Sequence, residues 1–235
     1  MKKSHIATLI VFLVLIPLTL ILGSRLSGRA FYVTSTLVIV ELLIPFFLAF
    51  EGRRPQAREL VVLAVMCALA VAGRVAIPIP NFKAIFGMIM IAGIAFGPES
   101  GFLVGAVSAL ASNFFYSQGP YTPWQMMAYG AGGMLAGFVF AQGRLPRKPV
   151  IMGIFGFLAV TFFVGPLLDT CSVFLVMSRI TLKGAMAFYI SGFPVNLRQA
   201  IATAIVLLVL GKPLLEKLDR IKTKYGILDE ERKEA

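Results

Sequence analysis

A succession of apolar runs, each ended by a short polar, glycine- or proline-bearing stretch, restricts the fold of this chain more than any other feature. The runs cover residues 6–22, 31–50, 60–77, 84–96, 101–116, 124–141 and 150–177, with a last one ending at Leu210. Of the 235 residues, 58% are hydrophobic and only 14% are charged. A soluble domain of this length would need a more charged surface, so the pattern predicts an all-α integral membrane protein. The net charge of +11 then reads as basic loops facing anionic lipid rather than as a nucleic-acid footprint.

Side chains able to carry chemistry are sparse. The sole histidine, His5, lies at the N-terminus, so no Ser–His or Cys–His pair and no multi-histidine metal site can be built in the body of the chain. Cys67 and Cys171 fall in separate apolar runs without CxxC spacing and predict unpaired thiols. The GAVS stretch at Gly105–Ser108 lacks a nucleophile elbow, and no phosphate-cradling G-x-x-x-x-G-K-[ST] segment occurs, so the chain does not hydrolyse ATP itself. The expectation is a protein without catalytic residues, metal or cofactor.

Residues 1–57 read as an N-terminal hairpin with a basic linker. Lys2 and Lys3 precede its first run, which lacks an A-x-A-like cleavage site and reads as a retained span. Glu41 sits near the middle of the second run, at a depth where an acid normally faces other helices. In the third run Ala64, Ala68 and Ala72 recur every four residues, a stripe against which another helix can approach closely, from inside the protein or from a partner. The prolines of IPIPNFK, Ile77–Lys83, predict a stiff extended loop. Runs 84–96 and 101–116 are short and predict either short spans or a re-entrant pair. Gly133 and Gly137 form a second close-packing pair. The long run 150–177 predicts a tilt or a kink at Pro166. Gly211–Pro213 is expected to end the last run, leaving 213–235 as a basic tail with Leu214, Leu218, Ile221 and Tyr225 on one face.

Between two of the runs lies NFFYSQGPYTPW, Asn113–Trp124, which holds the only tryptophan. Gly119–Pro120 forces a loop, and Pro123 suits the first turn of a new helix. Rings with polar tips favour the border of hydrocarbon and water, which suggests that this loop walls a solute pocket there.

With the N-terminus inside and eight crossings, fifteen of the 22 Lys and Arg fall on the inner side and five on the outer, which predicts both termini in the cytoplasm. In that orientation Arg74, Asn113, Gln125, Asp169 and Arg198 come to one outer layer, with Asn81, Phe82, Lys83, Tyr121 and Trp124 in the loops above. A charge deep in a span costs about 2.5–3.5 kcal/mol on insertion scales, so such groups are paired or functional. Together these ten residues are the candidate binding site for a small, partly aromatic or amide-bearing solute. A stand-alone proton-coupled carrier using Glu41 is the alternative, although there is no evident inverted repeat.

From about Arg58 to Tyr225 the chain resembles the substrate-binding S component of energy-coupling factor (ECF) vitamin transporters. The resemblance is carried by the alanine stripe, PNFK (80–83), AGIAFGPE (92–99), SNFF (112–115), GPYTPWQM (119–126) and LGKPL (210–214). It implies a six-helix membrane core over 58–212, to which the N-terminal hairpin is an addition. It further implies capture of a vitamin or related micronutrient on the extracytoplasmic side of the cell membrane, with the loop after the first core helix as lid. The implied partners are a membrane coupling (T) protein, contacted through Ala64, Ala68 and Ala72, and two ABC-type ATPases.

Overall fold

The computed structural model describes residues 10–24, 30–52, 55–141, 143–177 and 179–227, and among them every regular element is helical. In chain order these are α1 (residues 11–24), α2 (Ala30–Gly52), α3 (Ala57–Val75), α4 (Ile85–Phe96), α5 (Pro98–Tyr116), α6 (residues 122–141), α7 (Pro149–Val176) and α8 (Leu182–Tyr225). The last two are long and apolar enough to cross a membrane. Lys2, Lys3, Arg25, Arg29, Arg53, Arg54 and the residues beyond Ile227, used in the charge count, lie outside the described residues.

The centre of the molecule is α4. All 12 of its residues are buried, as expected of IFGMIMIAGIAF, which is apolar on every face and has no side to give to water. The helix is enclosed by α3, α5, α6 and α8. It is short because Gly97 (φ +96°) turns the chain and Pro98 opens α5 at once.

Backbones meet at the junction of α4, α5 and α6. A Cβ on Gly93 would stand 2.1 Å from the Gly133 carbonyl oxygen, and one on Gly137 would stand 2.6 Å from Pro98. Gly133 itself abuts the Gly101 carbonyl. The pair singled out by its spacing is therefore a contact surface against the α4–α5 turn, where only hydrogen fits.

Two long helices continue through positions that normally stop or bend one. In α7 a wide π-type turn spans Val160–Val164, and in α8 another spans Leu207–Gly211. Each ends two residues before a proline, Pro166 and Pro213 respectively. The wider turn moves the carbonyl that the proline ring would otherwise strike. Gly211–Pro213 does not end the helix as its composition suggests; α8 runs on to Tyr225.

The far end of α8 is not an isolated surface helix. Leu215 and Leu218 are buried, and Leu214 and Ile221 pack against the main core, while Tyr225 is exposed. Lys222 Nζ donates to the Ala95 carbonyl at 2.6 Å and Arg147 Nη2 donates to that of Ile94 at 3.1 Å. Both cations sit on the unpaired carbonyls that close α4, where the helix dipole favours positive charge.

Candidate functional site

Arg74 occupies the last turn of α3, and its guanidinium is held from α5. It donates to Ser112 Oγ and to Asn113 Oδ1, the latter at 2.9 Å. It also lies 4.8 Å from the centre of the Tyr116 ring and 5.7 Å from that of Tyr129, within cation–π range of both. The Tyr116 hydroxyl returns a hydrogen bond to the Arg74 carbonyl at 3.0 Å. Asn113 is completely buried, and its Nδ2 donates to Thr122 Oγ1 (3.1 Å) and Gln125 Oε1 (2.8 Å). One amide thus ties the ends of α3, α5 and α6 together, which is why SNFF and TPWQ sit where they do. A buried amide with its groups satisfied rigidifies its neighbours.

Across from this cluster, α7 and α8 supply an acid and a second amide. Asn196 Nδ2 donates to Asp169 Oδ2 at 2.7 Å. Each side chain rests on a glycine of the facing helix. A Cβ on Gly192 would come within 2.1 Å of Asp169 Oδ1, and one on Gly165 would come within 2.5 Å of Asn196 Cγ. Gly165 and Asp169 are four apart on α7, as Gly192 and Asn196 are on α8, so knob and hole share one face of each helix.

Between the two clusters is a cavity of about 640 Å³, within the range of small-molecule sites. Of the sequence-predicted residues, Arg74, Asn81, Lys83, Tyr121, Gln125 and Asp169 line it. Asn81 does so from a left-handed backbone conformation (φ +59°), and Lys83 Nζ is tethered to the Ile77 carbonyl at 2.6 Å. The lining carries two cations, Arg74 and Lys83, and one anion, Asp169, among tyrosine and amide side chains.

The other candidates stand elsewhere. Asn113 is behind the wall, holding Arg74 and Gln125 in place. Phe82 is half-buried in the α3–α4 loop, outside the lining. Trp124 is buried behind Tyr121, its ring 5.4 Å from that of Phe174. Arg198 is a correction: it is exposed and does not reach the cavity. The reason is register. The helix presents Asn196 and Gln199 to the cavity, and at about 100° per residue Arg198 is turned some 200° away from Asn196.

Tyr116, Tyr129, Ser172, Asn196 and Gln199 also line the cavity and were absent from the sequence-predicted set. Three of them carry a readable signal. Tyr129 follows Gln125 by one helical turn, and Asn196 and Gln199 are three apart, so each pair shares a face. Ala64, Ala68 and Ala72 all lie on the exposed face of α3.

A family model described as ECF-type riboflavin transporter, S component, matches residues 55–216. No curated protein and no solved structure matches the chain.

Proposed function

The chain belongs to the ECF-type riboflavin transporter S component family, and on that premise we propose that it captures a vitamin of the riboflavin kind in the cavity between α3 and α8. The family is one of transporter components and not of enzymes. In this reading α3–α8 are the six-helix capture unit, and α1 and α2 are an addition to it. The cavity opens to the extracytoplasmic side, both termini are cytoplasmic, and the Pro78–Lys83 loop is the lid. A membrane coupling protein docks on the Ala64, Ala68 and Ala72 face, and two ABC-type ATPases supply the work.

The observation that carries the substrate assignment is the pairing, across one cavity, of a tyrosine–arginine wall with a carboxylate–amide wall. Tyr116 and Tyr129 flank the Arg74 guanidinium, giving flat, polarisable surface to a planar heterocycle. Asp169, Asn196 and Gln199 offer acceptors and donors to a hydroxylated chain.

Native mass spectrometry of the detergent-purified full-length protein tests this. The expected result is a co-purifying flavin, or one taken up on adding riboflavin. A protein that emerges empty and binds no added riboflavin sinks the proposal.

A further inference from the structure

The family match begins at residue 55, so α2 lies outside it, yet α2 packs on the back of the cavity wall. Ile39 of α2 is buried in one cluster with Trp124 of α6 and Cys171 of α7, and Tyr121 and Leu175 pack against the same cluster. Tyr121, Cys171 and Leu175 also line the cavity. A single layer of side chains therefore separates α2 from the site. Further along, Phe46 stacks on Phe102 of α5 with centroids 4.2 Å apart, and Phe47 meets the same ring edge-on at 6.3 Å. Leu43 completes that contact beside Ala106.

We propose that the N-terminal hairpin is a retention element: α2, docked over the seam between α6 and α7, holds that wall closed and slows escape of the bound solute. The proposal rests on the reading of the cavity as the binding site. Its physical basis is that Tyr121, Cys171 and Leu175 line the cavity and also pack in the cluster that Ile39 of α2 closes from behind. Without it, α6 and α7 would have lipid at their back, which yields to side-chain motion as a packed helix does not. Effects of this sort fall on the dissociation rate, where most changes in affinity among related complexes lie.

Trp124 supplies the readout. It is the only tryptophan, it is buried against Ile39, and its indole N–H has no hydrogen-bond partner among the described residues. Its emission therefore reports whether α2 is in place. The test compares the full-length chain with F46A/F47A and with Ile39→Arg, none of which lines the cavity, measuring Trp124 emission and the on- and off-rates of riboflavin. The expected result is a shifted emission, an off-rate raised about tenfold or more, and an on-rate changed less than threefold. Shifted emission with an unchanged off-rate overturns this proposal alone. Unchanged emission in Ile39→Arg means that α2 does not sit on Trp124 and overturns it equally. Failure of the unsubstituted chain to bind riboflavin removes the substrate reading, and this inference with it.

Discussion

Asp169 and Asn196 are joined across α7 and α8 by a 2.7 Å hydrogen bond, and each is seated on a glycine of the other's helix. The bond occupies Oδ2 of the carboxylate and leaves Oδ1, on the Gly192 side, with acceptor capacity at the cavity. A hydrogen bond to a charged group contributes about 1.5–3 kcal/mol. Asp169→Asn should therefore weaken riboflavin binding by roughly ten- to a hundredfold, read by equilibrium titration. An unchanged Kd would remove Asp169 from the site.

Gly192→Ala separates helix preference from fit. In a helix, alanine is favoured over glycine by about 1 kcal/mol. Here its Cβ would fall 2.1 Å from Asp169 Oδ1, so the carboxylate must swing away. The expected outcome is weakened binding with an unchanged or lowered melting temperature, because the hydrogen bond to Asn196 is lost as the carboxylate moves. A variant that binds normally would show that the carboxylate position is immaterial.

Asn113 does not touch the cavity but holds Arg74 and Gln125. Arg74→Gln and Asn113→Leu should each lower affinity, and the double variant should lose little more than either alone. Residues in one hydrogen-bond network typically couple by 0.5–3 kcal/mol. Additive losses in the double-mutant cycle would mean that the two act independently.

The glycine contacts predict a steep contrast within the core. Gly93→Ala would drive a methyl group into the Gly133 carbonyl at 2.1 Å, and backbone cannot rotate out of the way as a side chain can. The loss should reach or exceed the ~1–3 kcal/mol typical of overpacking. Gly143, whose Cβ would meet nothing within 4 Å, has only its φ of +71° to protect, so Gly143→Asn should be nearly neutral because asparagine tolerates that region. Thermal melts in detergent compare the two.

Lys222 caps the end of α4 from a helix more than a hundred residues later in the chain. Lys222→Met keeps the aliphatic stem and removes the charge, and should cost about 1–2 kcal/mol. An unfolding free energy from chemical denaturation that changes by less than about 0.3 kcal/mol would show Ala95 to be satisfied by water instead.

Hydropathy alone places the helices well: runs 84–96 and 124–141 coincide with α4 and α6 to within two residues, because exclusion from water sets their length. It does not reveal that α4 is enclosed on all sides, since burial in protein and burial in lipid select the same side chains. Nor does it show where α8 begins. The segment 182–192 is only weakly apolar, and the helix there is capped by Thr181, whose side chain accepts from the Gly184 N–H. Packing of α8 against α7 turns Asn196 and Gln199 to the cavity and leaves Arg198 facing away from it. Arg74, Asp169 and Gln125 were legible from depth, whereas facing depends on a register that only the packed helices set.

The meeting of α4, α5 and α6 has a mechanical consequence. Where peptide planes touch directly there are no rotamers to exchange, so neighbouring helices cannot slip past one another by repacking. Those three behave as a single stiff plate. On the proposed reading, movement that admits a substrate is expected at the rim: the proline-bound loop at one edge, and at the other the two long helices with their widened turns.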